Sequence, residues 1–212
     1  MTRQFDVEVD ASGRLVLPPD VAEKYGLKPG TRIRLEDNAN GMYLRRPVTQ
    51  LARVYIEPTN RCNLNCLTCI RNSWDEPLGE ISSAVFSRIV ESLKAFSVPP
   101  SVFFGGHGEP LSHPHIVDMV KELKSVGSFV ELITNGTLLT KPFSKQLIDA
   151  GLDMLWVSLD GATPESYTDV RLGAALPEVL KNLRDFRHAR WTKHYPTGLD
   201  LLLQPQLGII FV

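Results

Sequence analysis

Cysteine is scarce in this sequence of 212 residues, and neither sign of charge is in excess. The only cysteines are Cys62, Cys66 and Cys69, all within the stretch from 62 to 69. So tight a group makes a poor disulfide framework and argues against a secreted, disulfide-stapled domain. Lys and Arg number 23 against 24 Asp and Glu, a formal net charge of −1. That balance excludes the broad basic field by which a domain holds nucleic acid or an anionic membrane. Long hydrophobic runs are also missing. Met1 to Asp6 lacks the apolar core of a signal peptide, and no stretch approaches the ~20 residues of a membrane span. Thiols that stay reduced and the absence of an export signal make the cytoplasm the expected compartment.

What is present begins with those cysteines. The pattern Cys-x-x-x-Cys-x-x-Cys puts three thiolates on one short loop, close enough to share one inorganic centre. A structural zinc site normally closes its fourth position with another Cys or a His. An iron–sulfur cluster held by three thiolates instead leaves one iron open to a small molecule. The cluster is the expectation; zinc, a redox dithiol and incidental cysteines are its competitors.

The chain changes character near Pro47. Before it, Phe5, Val7 and Val9 alternate with polar residues, and Ser12-Gly13 turns the chain into Leu15-Val16-Leu17. Pro18-Pro19-Asp20 opens a brief helix through Val21, Ala22 and Tyr25, closed by Gly26. Pro29-Gly30 turns the chain again, into the alternating Ile33 and Leu35, and Asn38, Asn40 and Gly41 lead to Met42-Tyr43-Leu44. Residues 1–47, through Val9 to Pro18 and Gly26 to Thr31, resemble the swapped-hairpin fold of AbrB and SpoVT-type regulators. That resemblance implies a homodimer, because fewer than fifty residues bury too little alone. It also raises DNA binding. Here Arg3, Arg14, Lys24, Lys28, Arg32, Arg34, Arg45 and Arg46 are offset by Asp6, Glu8, Asp10, Asp20, Glu23, Glu36 and Asp37. A phosphate-binding surface shows a clear basic excess, so dimerisation or docking is favoured over nucleic acid.

After a linker at 48–52, strands and helices alternate. Strands are expected at Val54–Ile56, Val102–Phe104, Phe129–Ile133, Leu155–Leu159 and Leu207–Val212. Between them come helices marked by Phe86, Ile89, Val90, Leu93 and Phe96 behind Ser82; by Ile116, Met119, Val120 and Leu123 before Gly127; by Leu147 and Ile148 before Gly151; and by Leu176, Val179, Leu180, Leu183 and Phe186. Repeated strand–helix units predict an α/β fold with a parallel sheet whose functional loops follow the strand C-termini. Four such loops carry polar or Gly-rich signals: the cysteine loop, Gly105-Gly106-His107-Gly108-Glu109-Pro110, Thr134-Asn135-Gly136-Thr137 and Ser158-Leu159-Asp160-Gly161. They should meet on one rim. The glycine-rich segment lacks the Gly-Lys-Ser/Thr ending of a phosphate loop.

Together these motifs, in this order, resemble the core of the radical S-adenosylmethionine (radical SAM) enzymes, a partial (β/α)6 barrel of which residues 53–212 carry five strands. The resemblance implies that Cys62, Cys66 and Cys69 ligate a 4Fe–4S cluster whose open iron is chelated by S-adenosylmethionine. Reductive cleavage of that molecule then yields a 5′-deoxyadenosyl radical that abstracts a substrate hydrogen. Cofactor contacts are expected from Gly106 and Gly108, which let backbone approach the methionyl group; from Glu109, toward its ammonium; from Asn135, Ser158 and Asp160, toward ribose hydroxyls or the carboxylate; and from Arg171, toward the carboxylate. Plainer roles compete: a helix-capping carboxylate for Glu109, a turn former for Asn135 and a surface arginine for Arg171. His107 is read as a loop residue rather than a ligand.

Tyr55 to Cys62 and Cys69 to Trp74 look like the maturases with a SPASM-type extension, and the combination of a regulator-like head fused to the barrel is most similar to the proposed maturases of tungsten-containing oxidoreductases. A peptide, protein or cofactor-precursor substrate and a reductant such as ferredoxin or flavodoxin are implied. Arg71, Asn72 and Trp74 either face substrate or pack. The family continues into a sixth strand and a cysteine-rich tail, so this chain is expected to be a fragment, with Leu207, Ile209 and Phe211 partly exposed. The competing reading is an AbrB-like DNA-binding regulator with a metal- or redox-sensing cysteine cluster. It leaves the polar strand ends after 104, 134 and 157 without a purpose.

Overall fold

The structure is a computed structural model that describes residues 6–25, 27–31, 33–39, 41–45, 51–73, 75–194 and 204–211. The chain divides into two compact units, Met1–Val48 and Thr49–Val212. Phe5, Gly26, Arg3, Arg32, Arg46 and Trp74, which carried expectations above, lie outside the described residues.

In the first unit, β1 (Glu8–Val9) pairs antiparallel with β2 (Leu15–Val16), matching Val9 with Leu15. Asp10 shapes the turn between them: its Oδ1 accepts from the backbone N–H of Ser12 and of Arg14, each at 2.9 Å. Helix α1 (Pro19–Lys24) starts on a proline, whose missing N–H costs nothing in a first turn. A second hairpin joins β3 (Arg34–Asn38) to β4 (Gly41–Arg45). None of this unit's residues with assigned exposure is buried, and Val9, Leu35 and Met42 are 66%, 54% and 60% exposed.

The second unit is the parallel α/β sheet predicted. Its strands β5 (Arg53–Ile56), β6 (Ser101–Phe104), β7 (Val130–Thr134), β8 (Met154–Leu159) and β9 (Gln206–Phe211) lie side by side in sequence order, every neighbouring pair parallel. The helices between them are α2 (Ser83–Leu93), α3 (Ile116–Ser125), α4 (Lys141–Asp149), α5 (Pro164–Val170) and α6 (Leu176–His194). Ser82 caps α2 by accepting from Val85 N–H, and Thr140 caps α4 by accepting from Phe143 N–H. Val102, Phe104, Val130, Leu132, Leu155 and Val157 alternate along the three central strands and are fully buried, with Phe86, Val120, Leu147 and Val179 from the helices in the same core. Residues of the opposite pleat, Tyr55, Phe103, Glu131, Ile133 and Trp156, make the other face. There the Glu131 carboxylate accepts from Arg53 Nη2 at 2.5 Å and Trp156 Nε1 at 2.9 Å.

Two differences from expectation concern helices. Helix α5 was not anticipated, because Tyr167 is its one buried residue and no apolar stripe marks it. Its signal is instead the start box Thr163-Pro164, with Thr163 accepting from Ser166 N–H and Ser166 Oγ from Thr163 N–H. Helix α6 continues beyond the stripe that ends at Phe186, through Arg187, Arg190 and Trp191. On β9, Ile209 and Phe211 are exposed.

Candidate active site

The parallel sheet brings four loops to one end. The first leaves β5 through Glu57 and reaches the cysteines. This loop is held by its own backbone and by its neighbours: Leu67 N–H donates to Val170 O at 2.9 Å, Asn65 N–H to Leu172 O at 3.2 Å, and Cys69 N–H to Cys66 O at 3.1 Å. Leu64 anchors it in the core. Asn72 donates through Nδ2 to Cys66 O at 2.8 Å, and Arg71 through Nη1 to Leu64 O at 3.4 Å. Both side chains serve the loop itself, the packing alternative anticipated for them.

The second loop, 105–110, lies against the strap 57–61. Glu57 Oε1 accepts from His107 N–H at 2.5 Å and from Gly108 N–H at 3.2 Å, while Glu109 N–H donates to Arg61 O at 2.8 Å. The glycines follow from this contact. A Cβ on Gly108 would stand 2.0 Å from Thr59 O, and one on Gly106, at φ +133°, 2.6 Å from the Glu57 carboxyl. The sequence suggested close approach to a ligand; the close approach in the structure is to the protein's own strap.

Glu109 is buried at 2% exposure. Its Oε1 accepts from Leu111 N–H at 3.0 Å, capping the short 3-10 turn Pro110–Ser112, and from Thr134 Oγ1 at 2.7 Å. Its Oε2 accepts from Asn135 N–H at 2.7 Å. The capping role and the tie to the third loop are therefore both present. Burial pushes this carboxyl above its usual range, opposed by those three donors and by Arg171.

Asn135, buried in the third loop, is fully engaged. Its Oδ1 accepts from Thr137 N–H at 2.9 Å and Thr137 Oγ1 at 2.6 Å, an Asx turn. Its Nδ2 donates to Asn63 Oδ1 at 3.0 Å and lies 3.8 Å from Cys62 Sγ. Cys62 Sγ also accepts from Leu64 N–H at 3.4 Å.

At the fourth loop, Arg171 is buried at 6% exposure rather than on the surface. Its Nε donates to Asp160 Oδ2 at 2.6 Å and its Nη2 to Ser158 Oγ at 2.5 Å. The two acceptors expected to meet a ligand thus hold the arginine in place and leave the rest of its planar fork available. Tyr167 packs its ring 5.9 Å below that guanidinium, with a buried hydroxyl that lacks a protein partner.

All ten residues singled out in the sequence (Cys62, Cys66, Cys69, Gly106, Gly108, Glu109, Asn135, Ser158, Asp160 and Arg171) line one cavity of about 370 Å³, with Thr68, Ile70, His107 and Ile133 among its other walls. Burial pushes the Cys62 and Cys66 thiols above their ordinary value, with Leu64 N–H opposing it at Cys62 and Arg171 opposing it at Cys66. Among the described residues, no three His, Cys, Asp or Glu side chains converge on a point as ligands of one ion would. Three thiols spaced around a cavity suit a polynuclear iron–sulfur cluster, which is larger than one ion and takes thiolate ligands. The hydrogen bonds already made to Cys62 Sγ suit a sulfur that becomes anionic on ligation. Glu57, Asn63, Thr134 and Thr137 were not singled out. The signal for Glu57 was available: a carboxylate directly after the apolar run 54–56.

Fold and cavity define an α/β protein built to hold a polynuclear centre and a small ligand at the strand C-termini. Residues 56–202 match the family model of the radical SAM superfamily, and the chain belongs to that superfamily. Residues 7–51 match a second model, "Antidote-toxin recognition MazE, bacterial antitoxin". The chain is 34% identical over 154 residues to the tungsten-containing aldehyde ferredoxin oxidoreductase cofactor-modifying protein of Pyrococcus furiosus, covering 71% of this chain and 43% of that one. It is 33% identical over 135 residues to the AdoMet-dependent heme synthase of Methanosarcina barkeri, covering 63% and 38%. The chain thus spans about two-fifths of the length of these curated relatives. A solved structure, native anSMEcpe with bound AdoMet and Cp18Cys peptide, shares the fold at a TM-score of 0.57 and 20% identity, over 74% of this chain and 42% of that one. The resemblances read from the sequence, a radical SAM core like that of tungsten-cofactor maturases behind a small regulator-like head, are borne out. Members of the superfamily are enzymes that use a 4Fe–4S cluster and S-adenosylmethionine.

Proposed function

We propose that this chain carries the cofactor-binding core of a radical SAM maturase. The observation behind this reading is the single cavity shared by three thiols and by polar groups from four strand ends. Cys62, Cys66 and Cys69 would hold the 4Fe–4S cluster, which, when bound, supplies the electron that cleaves S-adenosylmethionine reductively. The protein's own work is positional. The strap 57–61 and the loop 105–110 fix the wall beside the cysteines, and Glu57 and Glu109 pin that wall from opposite ends. Arg171, buried and held by Ser158 and Asp160, presents a cation suited to the ligand's carboxylate. Glu109 spends three acceptor positions on protein donors, which leaves the outer lone pair of Oε2 for the ligand's ammonium.

The substrate is a cofactor precursor, peptide or protein whose maturation needs a hydrogen abstracted, in the manner that the names of the Pyrococcus and Methanosarcina relatives suggest, with an oxidoreductase of the tungsten-containing class as one destination. A ferredoxin or flavodoxin serves as reductant. Residues 1–47 join two copies of the chain rather than bind DNA, and the protein works in the cytoplasm. No helix among the described residues is long and apolar enough to cross a membrane.

The test is anaerobic reconstitution with iron and sulfide. A brown protein whose reduced EPR signal changes on adding S-adenosylmethionine is the expected result. A colourless protein holding one tightly bound zinc would sink the proposal.

A further inference from the structure

Resting on the cluster reading above, we infer that Asn135 is a positioning and tuning residue for the cluster, acting through an N–H···S hydrogen bond to the Cys62 sulfur rather than through contact with S-adenosylmethionine. The Asn135 side chain is buried, and both of its polar atoms are committed. Oδ1 accepts twice from Thr137, which fixes the amide plane. Rotating that plane by half a turn would point an NH2 at the Thr137 N–H, so the donor end is locked toward the cysteine loop. There Nδ2 meets Asn63 Oδ1 at 3.0 Å and Cys62 Sγ at 3.8 Å, using one N–H for each. Sulfur is a large, soft acceptor, so 3.8 Å is within the reach of an N–H···S bond.

The backbone below is fixed as well. Asn135 N–H is held by Glu109 Oε2 at 2.7 Å, and Gly136 N–H by Thr134 Oγ1 at 3.0 Å. A donor aimed at a ligand sulfur stabilises the extra negative charge of the reduced cluster and raises its reduction potential. The site already has Leu64 N–H on the same sulfur at 3.4 Å. Asn135 therefore adds a side-chain donor that substitution can remove, together with its hydrogen bond to Asn63 of the cysteine loop, while the backbone bonds of that loop to Val170 and Leu172 stay.

The experiment is an EPR-monitored redox titration of the reconstituted full chain, with iron content measured in parallel. Asn135→Leu, a neutral near-isostere without the donor, should keep its iron but move the midpoint to more negative potential. The expected size is about a threefold fall in the reduced-to-oxidised ratio at the wild-type midpoint, roughly half of the ~59 mV that a tenfold change in a one-electron couple represents. Asn63→Leu removes the amide's other partner and leaves the sulfur as its acceptor, so its midpoint should match the wild type or lie above it. A wild-type midpoint in Asn135→Leu overturns the inference, and so does an equal negative shift in Asn63→Leu. If Asn135→Leu fails to hold iron, Asn135→Asp, which preserves the Asx turn and also lacks the donor, is titrated instead, and a midpoint not below that of Asn63→Asp overturns the inference. Failure of the wild-type chain to form any cluster would instead refute the cluster reading itself.

Discussion

The two units use the same kind of sequence to opposite ends. In residues 6–45, alternating apolar residues form short hairpins, and Val9, Leu35, Met42 and Leu44 remain largely exposed. In the larger unit the same alternation puts Val102, Leu132, Leu155 and Val157 at zero exposure. The difference lies in what covers each strand. Parallel strands require crossover helices, and those helices bury one sheet face. Two-stranded hairpins bring no such cover, and an isolated hairpin is marginal in water. The larger unit thus has a buried core of its own to position a site, while the smaller one buries none of its residues with assigned exposure.

Predictions follow from that contrast. Cys66→Ala should abolish the reduced EPR signal entirely, while unfolding of the N-terminal unit, followed by calorimetry, is unchanged. Any shift of the latter would mean that the two units are thermodynamically linked. Next in size, Gly108→Ala forces a methyl to 2.0 Å from Thr59 O and should destabilise the C-terminal unit by on the order of 4 kcal/mol. A chemical denaturation curve overlapping the wild type would show that the strap 57–61 yields freely. Dilution provides the third. If the small unit is stable only as a dimer, each tenfold dilution of the full chain should remove about 1.4 kcal/mol from its transition and nothing from the other. A concentration-independent first transition would contradict dimerisation.

The smallest effect is in pH. Burial raises the Glu109 pKa above its ordinary 4.5, so the folded protein holds this proton more tightly than the unfolded chain does. Its contribution to stability is complete below 4.5 and is lost as pH rises through the folded value. Glu109→Gln, which does not titrate, should flatten that decline in unfolding free energy. A wild-type contribution that grows with pH over this window would show that the three donors outweigh burial.

Much of this was legible in the sequence because it rests on local rules. Strand–helix alternation from Val54 to Leu207 gave the sheet, and Ser82 gave the start of α2. Of the ten candidate residues, Gly106, Gly108, Glu109, Asn135, Ser158 and Asp160 were visible because they stand at or just after strand ends, where a parallel sheet gathers its loops; the cysteines were visible by their clustering, and Arg171 only through the family resemblance. What stayed hidden depends on pairing across the fold. No local pattern says that Gly106 faces Glu57, that Arg171 is buried on Ser158 and Asp160, or that Asn135 reaches Cys62. Each partner lies between 11 and 73 residues away, and only the closed loops bring them together. Helix α5 escaped for a related reason, since its one buried side chain leaves no stripe to read.

The backbone clips between the cysteine loop and the end of α5, Leu67 to Val170 and Asn65 to Leu172, bear on how the protein is made. In small zinc domains the metal is the folding event, and the apo chain is shapeless. Here the loop is sewn to a helix of the scaffold by hydrogen bonds that involve no thiol. The position of the loop thus rests on backbone contacts with the end of α5 and not on the sulfur atoms. Folding and filling are therefore expected to be separate events, and Cys66→Ala should keep the loop in place while losing the means to hold a cluster.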